Sequence, residues 1–292
     1  MKGIICPILT PFNNDLSFNG DLYLKHAQDL LDSGIHFISP FGTTGEALSM
    51  SVAERINAVD CLVDGGISPS QIMPGAGLCN FPETLELVRH AVNRGCLAVM
   101  LLPPFFYKNA TDEGQFTYFA RLIDALSSSH LKICLYHIPP MAGMGFSPEL
   151  TRKLSIAFPE TVVAYKDSSG LMEHTLTIRS SAPSLSVFPG SEFYLKKGLE
   201  NGCAGCISAT CNINSQAIRD VYDIYFGDKQ GNLEDSNEKI LDLRRKVDAY
   251  SPIAVMKGYL AHNWQEERWR NVRPPLLPST DQEIASLLRK IG

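Results

Sequence analysis

The stretch Thr161-Val162-Val163-Ala164-Tyr165-Lys166-Asp167-Ser168-Ser169-Gly170 joins an apolar run of strand length to a polar turn that ends in glycine. The run predicts a buried strand with Lys166 at its exit. An amine in that position has two interpretations. Apolar neighbours favour its neutral, nucleophilic form, which attacks ketones. Alternatively, its aliphatic stem covers the sheet edge and its charged end lies in water.

Short apolar runs alternate with segments of helical periodicity through the first 226 residues. Strands are predicted at 4–9, 36–39, 72–76, 98–102, 133–137, 162–166, 186–188 and 205–208. Helices are predicted at 21–31, 52–63, 82–93, 113–126, 148–156, 171–180, 192–200 and 216–225. Eight alternating units of this size predict an α/β fold, a closed parallel (β/α)8 TIM barrel, rather than an open sheet.

The remaining residues, 227–292, show no clear strand pattern. They predict three helices, at 232–250, 253–264 and 281–291. We therefore predict a barrel over residues 1–226 and a C-terminal helical region over 227–292. Such a region buttresses the barrel or contributes to subunit contacts.

The composition is that of a globular protein of ordinary charge. Of the 292 residues, 45% are hydrophobic and 20% are charged, and the formal net charge is -5. Without a block of basic residues, a nucleic-acid partner is not expected. The N-terminal apolar stretch is too short and too broken by proline for a signal peptide, and no later run is long enough to span a membrane. We expect a cytoplasmic protein with no membrane partner.

Eight cysteines are scattered through apolar stretches, which is typical of reduced thiols rather than of a disulfide framework. Cys203 and Cys206 form a CxxC pair. A single pair is a weak signal for zinc or redox chemistry, and no metal site is predicted.

In a barrel of this kind, the active site lies at the carboxyl ends of the strands. The turn Gly42-Thr43-Thr44-Gly45-Glu46 follows the second predicted strand, and its amides and hydroxyls suit a carboxylate. Other groups at strand ends are Tyr107, Tyr136, Lys166, Gly190, Glu192, Ile207 and Ser208. A carboxylate-binding turn, phenols and an amine are thus predicted to converge.

Two further residues are interpreted as structural. Successive side chains in a strand point to opposite faces, so Tyr136 and His137 cannot both face the barrel interior. If Tyr136 faces inward, His137 is a packing residue. Lys257 follows an apolar run, but it lies in the predicted helical region.

These residues resemble the pyruvate-dependent class I aldolases, a family that includes dihydrodipicolinate synthase, N-acetylneuraminate lyase and 2-keto-3-deoxygluconate aldolase. The matching segments are Pro7-Ile8-Leu9-Thr10-Pro11-Phe12, Gly42-Thr43-Thr44-Gly45-Glu46, Tyr136-His137-Ile138-Pro139, Lys166-Asp167-Ser168-Ser169-Gly170 and Gly190-Ser191-Glu192. They occur in the family's order and spacing and span most of the barrel.

The resemblance implies that Lys166 forms a Schiff base with pyruvate or another 2-oxo acid. Tyr136 resembles the family's acid–base phenol. Thr44 would link it to Tyr107, a phenol that in many relatives reaches across from a neighbouring subunit. The implied substrate-binding residues are Thr43, Gly45, Gly190, Glu192, Ile207 and Ser208. No cofactor is implied, and a homo-oligomer, a dimer or tetramer, is expected.

The sequence departs from dihydrodipicolinate synthases at one informative position. Those enzymes carry an arginine five residues after the tyrosine, where this chain has Met141. A thioether cannot form the bidentate ion pair that guanidinium makes with a carboxylate. The resemblance therefore favours a lyase that cleaves or forms a 2-keto-3-deoxy sugar acid, with Glu192 near the sugar hydroxyls. Glu192 also fits an acidic residue in a first helical turn.

Three alternatives stay open. The chain resembles dihydrodipicolinate synthase if Lys108 replaces the missing arginine, and a dehydratase of the same family if the imine expels a hydroxyl. The third alternative is a catalytically silent barrel that binds keto acids. Against it stand Lys166, Tyr136, Thr44 and Tyr107, because a binding protein has no need of all four.

Overall fold

The structure is a computed structural model that describes residues 1–291. It divides into two compact units. One unit contains Met1–Gly3 and Ile67–Ile207, and the other contains Ile4–Gly66 and the residues from Ser208 onward.

Strands and helices alternate through most of the first 226 residues, as predicted, and only helices follow in the described part of the C-terminal region. The strands are β1 (Gly3–Cys6), β2 (Phe37–Ile38), β3 (Val99–Leu101), β4 (Ile133–His137), β5 (Val162–Asp167), β6 (Ser186–Pro189) and β7 (Gly205–Ile207). The helices are α1 (Gly20–Asp32), α2 (Val52–Asp64), α3 (Phe81–Asn93), α4 (Asp112–Leu126), α5 (Pro139–Ala142), α6 (Pro148–Ala157), α7 (Met172–Ser181), α8 (Leu195–Glu200), α9 (Cys211–Phe226), α10 (Leu233–Asp248), α11 (Pro252–Trp264) and α12 (Asp281–Ile291).

Parallel strands in the order β3-β4-β5-β6 form the sheet of the first unit. Leu101 pairs with Leu135, Tyr136 with Lys166, and Lys166 with Phe188. Most of these strand residues are buried, as in parallel sheets that are covered on both faces. In the second unit, β1 pairs with β2 in parallel.

The segment predicted as the third strand, residues 72–76, forms only an isolated bridge. Gly75 pairs with Met100, and hydrogen bonds of 2.9 Å run from Ala76 N to Met100 O and from Met100 N to Pro74 O. Pro74 has no N–H group to donate, so the ladder does not extend through it.

Side chains that accept hydrogen bonds from the first helical turn mark where several helices begin. Asn19, Ser51, Asn80, Thr111 and Ser147 cap α1, α2, α3, α4 and α6. These local signals explain why each helix begins near its predicted residue. The last predicted barrel helix begins earlier than expected, because a turn with a non-helical residue at Asn214 precedes its regular part.

The C-terminal helices pack within the second unit around Trp269, which is fully buried. This core includes Leu22 of α1, Val247 of α10, Val255 of α11 and Leu287 of α12. Helices α10 to α12 therefore share a hydrophobic core with α1.

All eight cysteines lie in the described range, and no disulfide joins any two of them there. Five are buried, and Cys61, Cys79 and Cys96 are partly exposed. None of the helices in residues 1–291 meets the length and hydropathy that a transmembrane span requires.

Candidate active site

Lys166 and Tyr136 are paired residues at the carboxyl ends of β5 and β4. The Lys166 Nζ atom lies 4.1 Å from the centre of the Tyr136 ring. Each residue is only 4% exposed. An amine and a phenol are thus held side by side in a buried position, where one bound molecule can contact both.

The residues two positions earlier on the same strands are uncharged. Cys134 pairs with Ala164, and both share a strand face with Tyr136 and Lys166. Burial raises the pKa of the Cys134 thiol to about 12, although the nearby Lys166 charge opposes the shift. The thiol is therefore protonated at neutral pH and does not compete with the amine as a nucleophile.

Asp167 follows Lys166 and points to the opposite face, toward α7. Its carboxylate accepts hydrogen bonds from Thr175 Oγ1 at 2.6 Å and from Ser169 N at 2.9 Å, and His174 Nδ1 lies 3.0 Å away. Burial raises the pKa of Asp167, but the hydrogen bonds outweigh burial, and the pKa lies below its usual value. This network anchors the end of β5 to α7.

His137 lies on the face opposite to Tyr136, as predicted for a packing residue. Its ring stacks on His174 with centres 4.2 Å apart, and its Nδ1 accepts a hydrogen bond of 3.0 Å from Phe146 N. Burial lowers the pKa of His137 to about 4, and the repulsion from His174 acts in the same direction. The imidazole is therefore neutral at physiological pH.

His137, Asp167 and His174 have the composition of a metal site, with one ligand atom from each within 4.8 Å of the others. The tautomer of His137 argues against metal binding. Because Nδ1 accepts the Phe146 N–H, the ring proton is on Nε2, and neither nitrogen offers a lone pair to a cation. We interpret the cluster as a hydrogen-bonded support for the ends of β4 and β5.

Gly190 brings the end of β6 against the end of β5. Its N–H donates to Asp167 O at 2.6 Å. A Cβ at this position would lie 2.1 Å from Ser168 Oγ, so only glycine permits the approach. Glu192 then lies in the first turn of a 3-10 helix, Glu192–Tyr194, which confirms the first-turn interpretation. It is nevertheless fully buried rather than solvated.

Tyr107 lies in the segment between β3 and α4 and is 68% exposed. The neighbouring Lys108 Nζ donates to Phe105 O at 2.7 Å and to Ala142 O at 2.5 Å. This ammonium group ties the segment to α5, directly beside Met141, which is also 68% exposed. A cation is thus present next to the position where the synthases have arginine.

Thr43, Thr44 and Gly45 lie in the second unit, in the turn that follows β2. The N–H groups of Gly45 and Glu46 donate to Gly42 O and Thr43 O, each at 3.1 Å, and both threonines are half-buried. The carbonyl of Gly45 accepts a hydrogen bond of 2.7 Å from a threonine hydroxyl near β1, that of Thr10. The turn is therefore tightly folded and held from one side.

Glu46 forms a buried ion pair that the sequence did not indicate. Lys257 Nζ lies 2.5 Å from Glu46 Oε1, and both side chains are completely buried. Burial lowers the pKa of Lys257 to about 8, although the Glu46 carboxylate opposes the shift. Lys257 lies in α11, within the helical region where it was predicted. The apolar residues before Lys257 indicated its burial, but no local pattern links it to residue 46.

The two residues predicted at the last strand lie in different units. Ile207 ends β7 in the first unit and is fully buried. Ser208 begins the C-terminal part of the second unit, where its N–H donates to Ile5 O at 3.3 Å and Arg244 Nη1 lies 3.4 Å from its hydroxyl.

Comparison with known proteins extends over the whole chain. Residues 1–291 match the model of the dihydrodipicolinate synthetase family. A protein of Chloroflexus aurantiacus named as an uncharacterized DapA-like lyase is 31% identical over 98% of this chain and 94% of its own. The 4-hydroxy-tetrahydrodipicolinate synthase of Rhizobium meliloti is 28% identical over 100% of this chain and 98% of its own.

A solved structure shows the same likeness. The crystal structure of dihydrodipicolinate synthase from Agrobacterium tumefaciens superimposes with a TM-score of 0.90 at 27% identity, over 99% of this chain and 98% of that one. This confirms the predicted (β/α)8 barrel fold with a C-terminal helical extension. The chain belongs to the dihydrodipicolinate synthetase family, the pyruvate-dependent class I aldolases and lyases that act on carbon–carbon bonds.

Proposed function

We propose that this lyase cleaves a 2-keto-3-deoxy sugar acid into pyruvate and an aldehyde, and in reverse forms the sugar acid from them. The observation that carries the proposal is the buried pairing of the Lys166 amine with the Tyr136 ring at 4.1 Å. Imine chemistry needs a nucleophilic amine and an acid–base group that reach the same substrate.

In the cleavage direction, the lone pair of Lys166 Nζ attacks the C2 ketone, the carbonyl oxygen leaves as water, and a protonated imine forms. The C3–C4 bond then breaks and its electron pair enters the imine, which gives an enamine. Tyr136 takes the proton of the C4 hydroxyl as that oxygen becomes an aldehyde. Protonation of the enamine at C3 and hydrolysis of the imine release pyruvate and regenerate the amine.

Thr43, Thr44 and Gly45 bind the substrate carboxylate in this proposal. Support comes from the tight turn in which they lie, because backbone N–H groups and hydroxyls presented by a turn suit an anion. We also propose, as the resemblance implies, that Thr44 links Tyr136 to Tyr107. The 68% exposure of Tyr107 fits a side chain that is donated to a neighbouring subunit, so we propose a homo-oligomer, a dimer or tetramer.

The sugar-acid tail is assigned to Gly190, Glu192, Ile207 and Ser208. The Gly190 N–H donates to the carbonyl of Asp167, the residue after Lys166 in β5. Glu192, two residues after Gly190, is a buried carboxylate. Carboxylates accept hydrogen bonds from hydroxyl groups, which abound in a sugar acid. The absence of disulfides within residues 1–291 supports the proposal of a cytoplasmic enzyme.

A second candidate is 4-hydroxy-tetrahydrodipicolinate synthase. Two observations favour it: the full-length relative of that name and the Lys108 ammonium beside Met141. Lysine is a point charge and lacks the two-pronged geometry of arginine, so it binds a carboxylate with less directional preference. We therefore rank this activity second.

The proposal is tested by borohydride reduction in the presence of pyruvate, followed by peptide mass spectrometry. We expect a pyruvate-sized adduct on Lys166 and none on Lys257, which serves as an internal control. Lys166→Ala is expected to lose the adduct and keep its fold. A folded wild-type protein that gives no adduct would contradict the imine mechanism.

Product analysis then separates the two candidates. The protein is incubated with a set of 2-keto-3-deoxy sugar acids, and pyruvate release is measured; in parallel it is incubated with pyruvate and aspartate semialdehyde. Faster turnover of a sugar acid supports the first candidate. Faster condensation with aspartate semialdehyde replaces it with the second.

A further inference from the structure

The Glu46 carboxylate is held through both of its oxygen atoms. Lys257 Nζ lies 2.5 Å from Oε1, and the backbone N–H of Arg273 donates to Oε2 at 2.9 Å. Both donors belong to the C-terminal helical region, whereas Glu46 ends the turn that contains Thr43 and Thr44. The C-terminal region thus binds this turn through the buried side chain of Glu46.

Lys257 is itself fixed in place. Its Nζ donates to Asn271 O at 2.6 Å and lies 4.6 Å from the centre of the Phe12 ring. Asn271 in turn donates through its side chain to Phe12 O at 3.0 Å. The ammonium group therefore has little freedom to move, and neither has the carboxylate that it holds.

Arg273 holds the far side of the same segment. Its guanidinium donates to Ser49 O at 2.6 Å and to Leu16 O at 2.8 Å, and it also pairs with Glu54. Residues 46 to 49 are thus held at both ends by groups from the C-terminal region. These contacts constrain the conformation of the turn, in addition to stabilising the second unit.

The turn needs such a constraint because Glu46 has a left-handed backbone, with φ of 53°. A residue with a Cβ atom adopts this conformation uncommonly, and the surrounding contacts offset its cost. Hydrogen bonds inside the turn join Glu46 N to Thr43 O. The orientation of Glu46 therefore determines how the amides and hydroxyls of Thr43 and Thr44 are presented.

We propose that Lys257 is a positioning residue for the carboxylate-binding turn: it fixes Glu46 and thereby holds Thr43 and Thr44 in the conformation that binds the carboxylate of pyruvate. This inference rests on the proposed function. Lys257 does not touch substrate in this account. A buried ion pair often adds little net stability relative to an apolar pair, and in some proteins it favours one arrangement over others, which is the role proposed for this pair.

The test compares two ketones. Wild type and variants are titrated with pyruvate and, separately, with hydroxyacetone, a ketone of similar size without a carboxylate. Each adduct on Lys166 is trapped with borohydride and quantified by mass spectrometry. The variant Glu46→Gln/Lys257→Met removes both charges together, so no unpaired buried charge remains. Glu46→Gln alone keeps the side-chain volume and serves if the double variant does not fold.

We expect the double variant to raise the half-saturating pyruvate concentration at least tenfold and to leave that for hydroxyacetone within twofold. The adduct plateau should stay unchanged, because Lys166 is intact. Arg219→Gln is the control: it removes the ion pair with Asp223 and the hydrogen bond to Gly34 in the same unit, and both partners lie outside the turn. The half-saturating concentrations of both ketones should be unchanged in this control variant.

Two other outcomes overturn the inference in distinguishable ways. If the variants raise the half-saturating concentrations of both ketones equally, or of neither, Lys257 has only a structural role, and the imine mechanism stands. If wild type gives no Lys166 adduct with pyruvate, the proposed function fails, and the positioning role falls with it.

Discussion

Lys166 Nζ lies 4.1 Å from the centre of the Tyr136 ring, and the two residues are register partners on adjacent parallel strands. Their relative position is thus set by the hydrogen-bonded ladder rather than by a loop. Side chains on such rigid elements are held more accurately than side chains on loops. The ring also stabilises the positive charge of the protonated imine that the amine forms.

Tyr136→Phe keeps the ring and removes the hydroxyl that exchanges protons with the substrate. Because general acid–base catalysis typically contributes about 10²–10⁴ in rate, we expect kcat for sugar-acid cleavage to fall by a factor in that range. Pyruvate release is measured with a coupled dehydrogenase assay. Tyr165→Phe, one position before Lys166 and on the opposite face, is the control and should keep kcat within about threefold. Equal losses in both variants would contradict the role of Tyr136.

Met141→Arg is expected to shift the enzyme toward condensation of pyruvate with aspartate semialdehyde. The new guanidinium offers bidentate binding to the carboxylate of that aldehyde, and we expect kcat/KM to rise at least tenfold, which corresponds to about 1.4 kcal/mol. Met141 is 68% exposed, so the change should alter the free energy of unfolding by only about 0.5 kcal/mol. Both substrates are assayed on the same preparation.

Lys108→Met is the companion variant. If the wild-type protein already condenses aspartate semialdehyde rapidly and Lys108→Met abolishes that activity, Lys108 replaces the arginine and the synthase assignment is preferred.

Gly190→Ala tests the close approach between the ends of β5 and β6. Its Cβ would lie 2.1 Å from Ser168 Oγ and 2.9 Å from Asp167 O. Overpacking of this kind costs about 1–3 kcal/mol, and the shift of β5 should also reduce Lys166 trapping. Gly114→Ala is the matched control, because its Cβ would lie 3.5 Å from Thr111 Oγ1, an ordinary van der Waals contact, and its φ is not in the left-handed region. Urea unfolding should show the larger loss for Gly190→Ala, and a larger loss for Gly114→Ala would refute the steric argument.

The helices were predictable because their signals are local. Ser51 and Glu54 form a capping box three residues apart, and Pro148 occupies the first position of α6. The prediction of a strand at residues 72–76 was wrong because Pro74 interrupts the hydrogen-bonded ladder. A hydrophobic pattern does not reveal this interruption. Short elements such as α5 also escaped prediction, since two prolines there resembled a loop.

The site was predictable where it depends on strand position and unpredictable where it depends on distant contacts. The placement of Lys166 at a strand exit and the opposite orientations of Tyr136 and His137 follow from the periodicity of strands. The contact of Asp167 with His174 depends on how α7 packs, and the pairing of Glu46 with Lys257 joins opposite ends of the chain. Long-range packing of this kind cannot be predicted from a local sequence pattern.

The stability of the protein should fall between pH 6.5 and pH 4 because two buried histidines are kept neutral. Burial lowers the pKa of both His26 and His137 to about 4, whereas an unfolded histidine titrates near 6.5. The unfolded chain binds more protons in this window, so the free energy of unfolding decreases as pH falls. Each histidine should account for a loss of about 2 kcal/mol between pH 7 and pH 5.

Urea unfolding at several pH values measures this loss, and His26→Gln and His137→Gln should each reduce it by about that amount. His130→Gln, at an exposed position, should leave the pH dependence unchanged. If the two buried-site variants keep the wild-type pH dependence, these histidines are not the groups that take up protons on unfolding.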